Sequence, residues 1–91
     1  MKAKMKAPRN QTAEVLFELL KNESINRRSI LLECGILNVT ARIADLRLRH
    51  NLQITCYKIH TKNKHNRLIT YGSWSLENKK QGKETYLKIN L

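Results

Sequence analysis

The hydropathy period of this chain changes once, from about 3.6 residues before Leu52 to 2 after it. That switch restricts the fold to helices followed by a sheet. From Gln11 to about Asn22, the apolar side chains Val15, Leu16, Leu19 and Leu20 recur at i, i+1, i+4 and i+5, one stripe of an amphipathic helix. Phe17 falls off that stripe, which leaves it either covering a second patch or partly exposed. A second helix reads from Asn26 to Cys34, with Asn26 as its N-cap, Ile25 placed to staple against Ile30, and Gly35 as its stop. A third opens at Asn38 and ends near His50-Asn51, its buried seam formed by Val39, Ile43 and Leu46. The opposite side carries Ala41, Ala44, Asp45 and Leu48, with Arg42 and Arg49 on one flank and Thr40 and Arg47 on the other.

Beyond Leu52, Gln53 to His60 alternates as a strand does, and the polar run Thr61 to Arg67 reads as a loop tip. Leu68 to Trp74 is a second strand, Glu77 to Lys83 a polar turn containing Gly82, and Glu84 to Leu91 a last strand with Leu87, Ile89 and Leu91 on one face. Residues 1–10 lack any apolar period and read as a disordered basic arm, so 11–91 is the folded domain. At 91 residues the chain supports one modest core and no elaborate active site.

The formal charge of +11 is unevenly placed. Residues 11–50 nearly balance, with Lys21, Arg27, Arg28, Arg42, Arg47 and Arg49 against Glu14, Glu18, Glu23, Glu33 and Asp45. The surplus lies in the first ten residues (Lys2, Lys4, Lys6, Arg9) and after residue 50, where eight Lys/Arg face only Glu77 and Glu84. A near-neutral scaffold with basic extensions suits a polyphosphate backbone, whose condensed counterions are released on neutralisation. The apolar runs are too short to cross a bilayer, and the basic start is not followed by the apolar core of a signal peptide, which implies a cytoplasmic protein. Cys34 and Cys56 stand at unrelated positions and read as two buried, reduced thiols.

Three helices, with a short turn between the second and third, followed by a hairpin-rich sheet give an α+β chain in the order of a winged helix-turn-helix domain. The segment Ile36-Leu37-Asn38-Val39-Thr40-Ala41-Arg42-Ile43-Ala44-Asp45-Leu46-Arg47, followed by Asn51-Leu52-Gln53-Ile54, resembles the small winged helix-turn-helix proteins of bacteriophage and prophage genomes. Their pattern is an A-R-I-S-D-L-R-like recognition helix, a turn and an extended strand. This chain has Ala44 where serine is usual, and its region after His60 is longer than a simple wing. The resemblance implies sequence-selective binding of double-stranded DNA and a role as a transcriptional regulator. On that reading, Asn38, Thr40, Ala41, Arg42 and Arg47 enter the major groove and Arg27 and Arg28 hold phosphate at the start of helix two. Lys62, Lys64, His65 and Arg67 form the wing, and Lys4, Lys6 and Arg9 lie in the arm.

Each assignment has a plainer counterpart. Asp45 pairs with Arg42 or Arg49 on any solvated helix face, and a cationic loop is usually just hydrated. An architectural or excisionase-like DNA-bending factor fits the same residues, as does a basic phage protein that docks on an acidic host protein. RNA is a weaker fit, since Tyr57, Tyr71 and Tyr86 form no paired stacking motif. A second copy of the chain remains open as a partner. Metal, cofactor and catalysis find no support: there is no C-x-x-C, no phosphate-cradling glycine loop and no nucleophile with a credible base.

Overall fold

Asparagine opens every helix in a computed structural model of the protein, which describes residues 7–90. The described elements are α1 (Gln11–Lys21), β1 (Ile25–Asn26), α2 (Arg27–Cys34), α3 (Val39–Arg49), β2 (Ile54–Lys62), β3 (Leu68–Leu76) and α4 (Lys79–Ile89). The caps are Asn10, Asn26, Asn38 and Asn78, whose side chains accept from the backbone N–H of Ala13, Ser29, Ala41 and Gln81. Each satisfies a donor that has no partner within its own helix. At α2 the arrangement is reciprocal, because Ser29 Oγ also accepts from the Asn26 backbone. Gly35 ends α2 at φ 69°, in the left-handed region, and the chain leaves α3 through Asn51 at φ 54°.

The protein is α+β, with four helices and one three-stranded antiparallel sheet among the described residues, ordered β1-β3-β2. Helices one to three fall where the hydropathy pattern puts them. Val39, Ile43 and Leu46 are buried, as are Val15, Leu16 and Leu19 on α1. The core also takes Ile25, Ile30, Ile36, Leu52, Ile54, Trp74, Leu76 and Tyr86.

The C-terminal segment departs from expectation. Glu84 to Leu91 is not a strand and Glu77 to Lys83 is not a turn; the two merge into α4, which packs on α1. Tyr86 and Thr85 are buried with Gly82, a spacing of i, i+3 and i+4, while Leu87 lies exposed. Gly82 permits close approach: a Cβ there would collide with the Leu76 side chain. Phe17 finds its place on this side of α1, its ring 5.6 Å from that of Tyr86. Lys79, read from the sequence as part of the polar turn, opens α4. Its Nζ donates to the Leu19 and Asn22 carbonyls and closes the C-terminal end of α1, where a cation is favoured.

The thiols also differ from expectation, since Cys34 is half-buried and Cys56 exposed, and both are free. Burial pushes the Cys34 thiol up from its ordinary pKa, reinforced by the negative charges of Glu18, Glu14 and Glu33. Reaction needs the thiolate. A pulse of iodoacetamide at neutral pH is therefore expected to label Cys56 several-fold faster than Cys34, read by peptide mass spectrometry. Equal rates would contradict this placement of the two residues.

Candidate nucleic-acid interface

The cations expected to hold a ligand sit on three pieces of backbone that the fold ties together. At the first, Arg27 and Arg28 open α2 with both side chains exposed, and Arg27 Nη2 donates to Thr40 Oγ1 at 3.2 Å. That bond joins the starts of α2 and α3. Asn38 caps α3 through a 3.2 Å bond from Ala41 N, so its carboxamide oxygen is already engaged.

The second piece is α3, which has four distinct sides. Val39, Ile43 and Leu46 face the core. On one flank Asp45 is shared by Arg42 Nη2 at 3.5 Å, Arg49 Nε at 3.9 Å and the hydroxyl of Thr12 at 3.3 Å. Arg42 is half-buried there, and its Nε is buried with no hydrogen-bond partner. On the other flank Arg47 turns toward β2, where its Nε donates to the Ile54 carbonyl at 3.1 Å and its Nη2 donates to the same oxygen. Arg47 thus fastens α3 to the first residue of the hairpin. The remaining side holds Ala41, Ala44 and Leu48, with Thr40 at its edge; the two alanines are partly exposed and Leu48 is 84% exposed.

The third piece is the β2–β3 hairpin. Strand β1 reaches only Ile25↔Trp74 and Asn26↔Ser73, whereas β2 and β3 pair out to Lys62↔Leu68. The outer half is a two-stranded ribbon, and residues 60–71 are all exposed. Because side chains alternate along a strand, the ribbon has two chemically different faces. Lys58, His60 and Lys62 share one with Thr70 and Leu68; Tyr57, Ile59, Ile69 and Tyr71 share the other. At the tip, Asn63 Oδ1 accepts from the backbones of His65 at 2.9 Å and Arg67 at 3.0 Å, and Asn66 takes φ 62°. A cross-strand contact of 3.0 Å between His60 Nδ1 and Thr70 Oγ1 stiffens the cationic face.

The structure places Lys62, Lys64, His65 and Arg67 together on this tip, all exposed. It adds Lys58 and His60, which share the face of Lys62 and follow from the period of 2 already visible in the sequence. Of the arm, Lys4 and Lys6 lie outside the described residues. Arg9 is held close to the domain, its backbone N–H donating to Asn90 Oδ1 at 3.0 Å. No described helix is long and apolar enough to cross a membrane, and no cluster of three or more His, Cys, Asp or Glu able to hold a metal forms among the described residues. Comparison with protein-family profiles, curated proteins and solved structures finds no match to this chain.

Proposed function

We propose that the protein binds double-stranded DNA with sequence selectivity as a winged helix-turn-helix transcriptional regulator of the phage type, with α3 in the major groove. The observation that carries this reading is a partly exposed, uncharged side of α3 with arginines on its flanks, together with the cations exposed at the head of α2 and on the hairpin. Arg27 and Arg28 stand at the head of α2, and Lys58, Lys62, Lys64 and Arg67 line the hairpin. Phosphate contacts from both would position α3 without themselves reading sequence. The hairpin is the wing, and its Lys/His face lies toward the backbone.

Arg27 and Arg28 occupy a helix start, where the macrodipole disfavours cations, and a phosphate docked there removes that mismatch. Arg42 and Arg47 act as positioning residues, since one is paired to Asp45 and the other is bonded to Ile54. Selection of bound duplexes from a random pool tests the proposal: an enriched motif is the expected result, and its absence would leave only non-specific binding. In the same assay Lys64→Ala should weaken every duplex alike and lower the slope of log affinity against log salt by about 1. A change in sequence preference instead would place Lys64 at a base.

One observation favours a second reading, docking on a host protein through the hairpin, whose cationic face would meet acidic groups while its other face packs on apolar ones. The Tyr57, Ile59, Ile69 and Tyr71 face of the ribbon is neutral and apolar, and a phosphate backbone has no use for it.

A further inference from the structure

On α3 the two arginines expected at base edges are engaged, Arg49 lies on the flank beside Asp45 with its side chain 78% exposed, and the side between the flanks is apolar, which bears on which bases it could read. Guanine is most often recognised by an extended Arg or Lys that reaches O6 and N7. Here Arg42 is half-buried against Asp45 and Arg47 is bonded to the Ile54 carbonyl. Between the flanks lie Ala41 and Ala44, both partly exposed, and the exposed Leu48, at i, i+3 and i+7, with Thr40 at the edge. Leu37 lies just ahead of the helix and is 78% exposed.

We infer that this stripe reads the C5-methyl groups of thymine, so the preferred sites are rich in A·T pairs. The inference rests on the DNA-binding reading above and names its substrate class. The thymine methyl is the one apolar feature that the four natural bases present in the major groove, and alanine and the threonine methyl are side chains that contact it. Ala41 and Ala44 are short enough to let the helix backbone approach the base edges. Charge complementarity selects DNA over an apolar protein surface as the occupant. The stripe carries no charge, Asp45 beside it is neutralised by two arginines, and Arg27, bonded to Thr40, stands at its other edge.

The test uses the full chain and four short duplexes in fluorescence anisotropy: alternating dA-dT, the same with deoxyuridine for thymidine, alternating dG-dC, and the same with 5-methylcytosine. Uracil differs from thymine only by the methyl, so phosphate charge and Watson–Crick pairing are unchanged. Each methyl shielded from water contributes about fourfold in affinity, and with two in reach the uracil duplex should bind roughly fifteenfold more weakly. Methylating cytosine should strengthen the dG-dC duplex. Leu48→Ser, at a position too exposed to matter for folding, should lower affinity for the thymine duplex and leave the uracil duplex unchanged. Tight and equal binding of the thymine and uracil duplexes would overturn the methyl reading while leaving DNA binding intact. Failure to bind any of the four would overturn both. A wild-type dimer in sedimentation that Leu48→Ser converts to a monomer would assign the stripe to a second copy of the chain, which also overturns the inference.

Discussion

Tyr86→Ala is expected to destabilise the protein by about 3 to 5 kcal/mol, the range for removing a large aromatic side chain from a core. Tyr86 is fully buried and packs against Phe17. It is one of the few large apolar side chains through which α4 joins the core, beside Ile89 at its margin. A domain of this size has a total stability of roughly 5 to 15 kcal/mol, so the variant should sit near its unfolding transition at growth temperature. Urea denaturation followed by circular dichroism measures the loss. Tyr86→Phe keeps the ring and should retain most of the stability. Leu87→Ala is the informative neighbour, because Leu87 is 53% exposed and its truncation should cost well under 1 kcal/mol. Were the segment a strand burying Leu87, Ile89 and Leu91, the two alanine variants would rank in the opposite order.

That contrast identifies where the sequence is ambiguous. Helices one to three announce themselves through apolar side chains at helical spacing and through Asn26, Gly35 and Asn38, each at a position where its side chain or its lack of one is required. In α4 the inward positions are Gly82, Thr85, Tyr86 and Ile89, only two of them large and apolar, so the helical period is faint. Leu87, Ile89 and Leu91 meanwhile alternate in a way that imitates a strand. Local propensity is thereby overridden by packing on α1. One signal was present: Asn78 followed three residues later by Gln81 is the spacing of a helix start, and Asn78 does cap α4. Lys79 follows from the same error, since a cation in a supposed turn is in fact a cap for the helix beneath it.

The candidate site was legible as a set of positions but not as a set of roles. Arg42 and Arg47 are on the flanks where the helical wheel puts them, yet neither extends freely. Their partners, Asp45 with Thr12 and the Ile54 carbonyl, come partly from elements distant in sequence. No periodicity encodes a backbone carbonyl as an acceptor. The hairpin cations, by contrast, needed only the alternation of β2 and a polar tip, which is why Lys62 and Lys64 lie on the hairpin and Lys58 could have been added.

Binding to duplex DNA is expected to fall by roughly three decades when salt is raised from about 50 to 200 mM. The number follows from the exposed cations of the two flanking elements: Arg27, Arg28, Lys58, Lys62, Lys64 and Arg67. If each neutralises one phosphate, the slope of log affinity against log salt is about −0.9 per contact, or about −5 in all. The fold itself should be nearly indifferent to this change, because its core is apolar and the ion pairs among the described residues, Lys21–Glu18, Arg42–Asp45 and Arg49–Asp45, are local pairs within single helices that contribute a few tenths of a kcal/mol each. Any loss of affinity therefore reports the interface rather than unfolding. Replacing Lys58, Lys62 and Lys64 together by alanine should reduce the slope by about 3. Replacing Lys80 and Lys83 on α4 removes charge from an element outside the proposed contact and should leave the slope unchanged. A flat titration of the wild type, or equal slope changes per charge from α4 and from the hairpin, would mean that net charge alone attracts DNA and that the hairpin has no defined place on it.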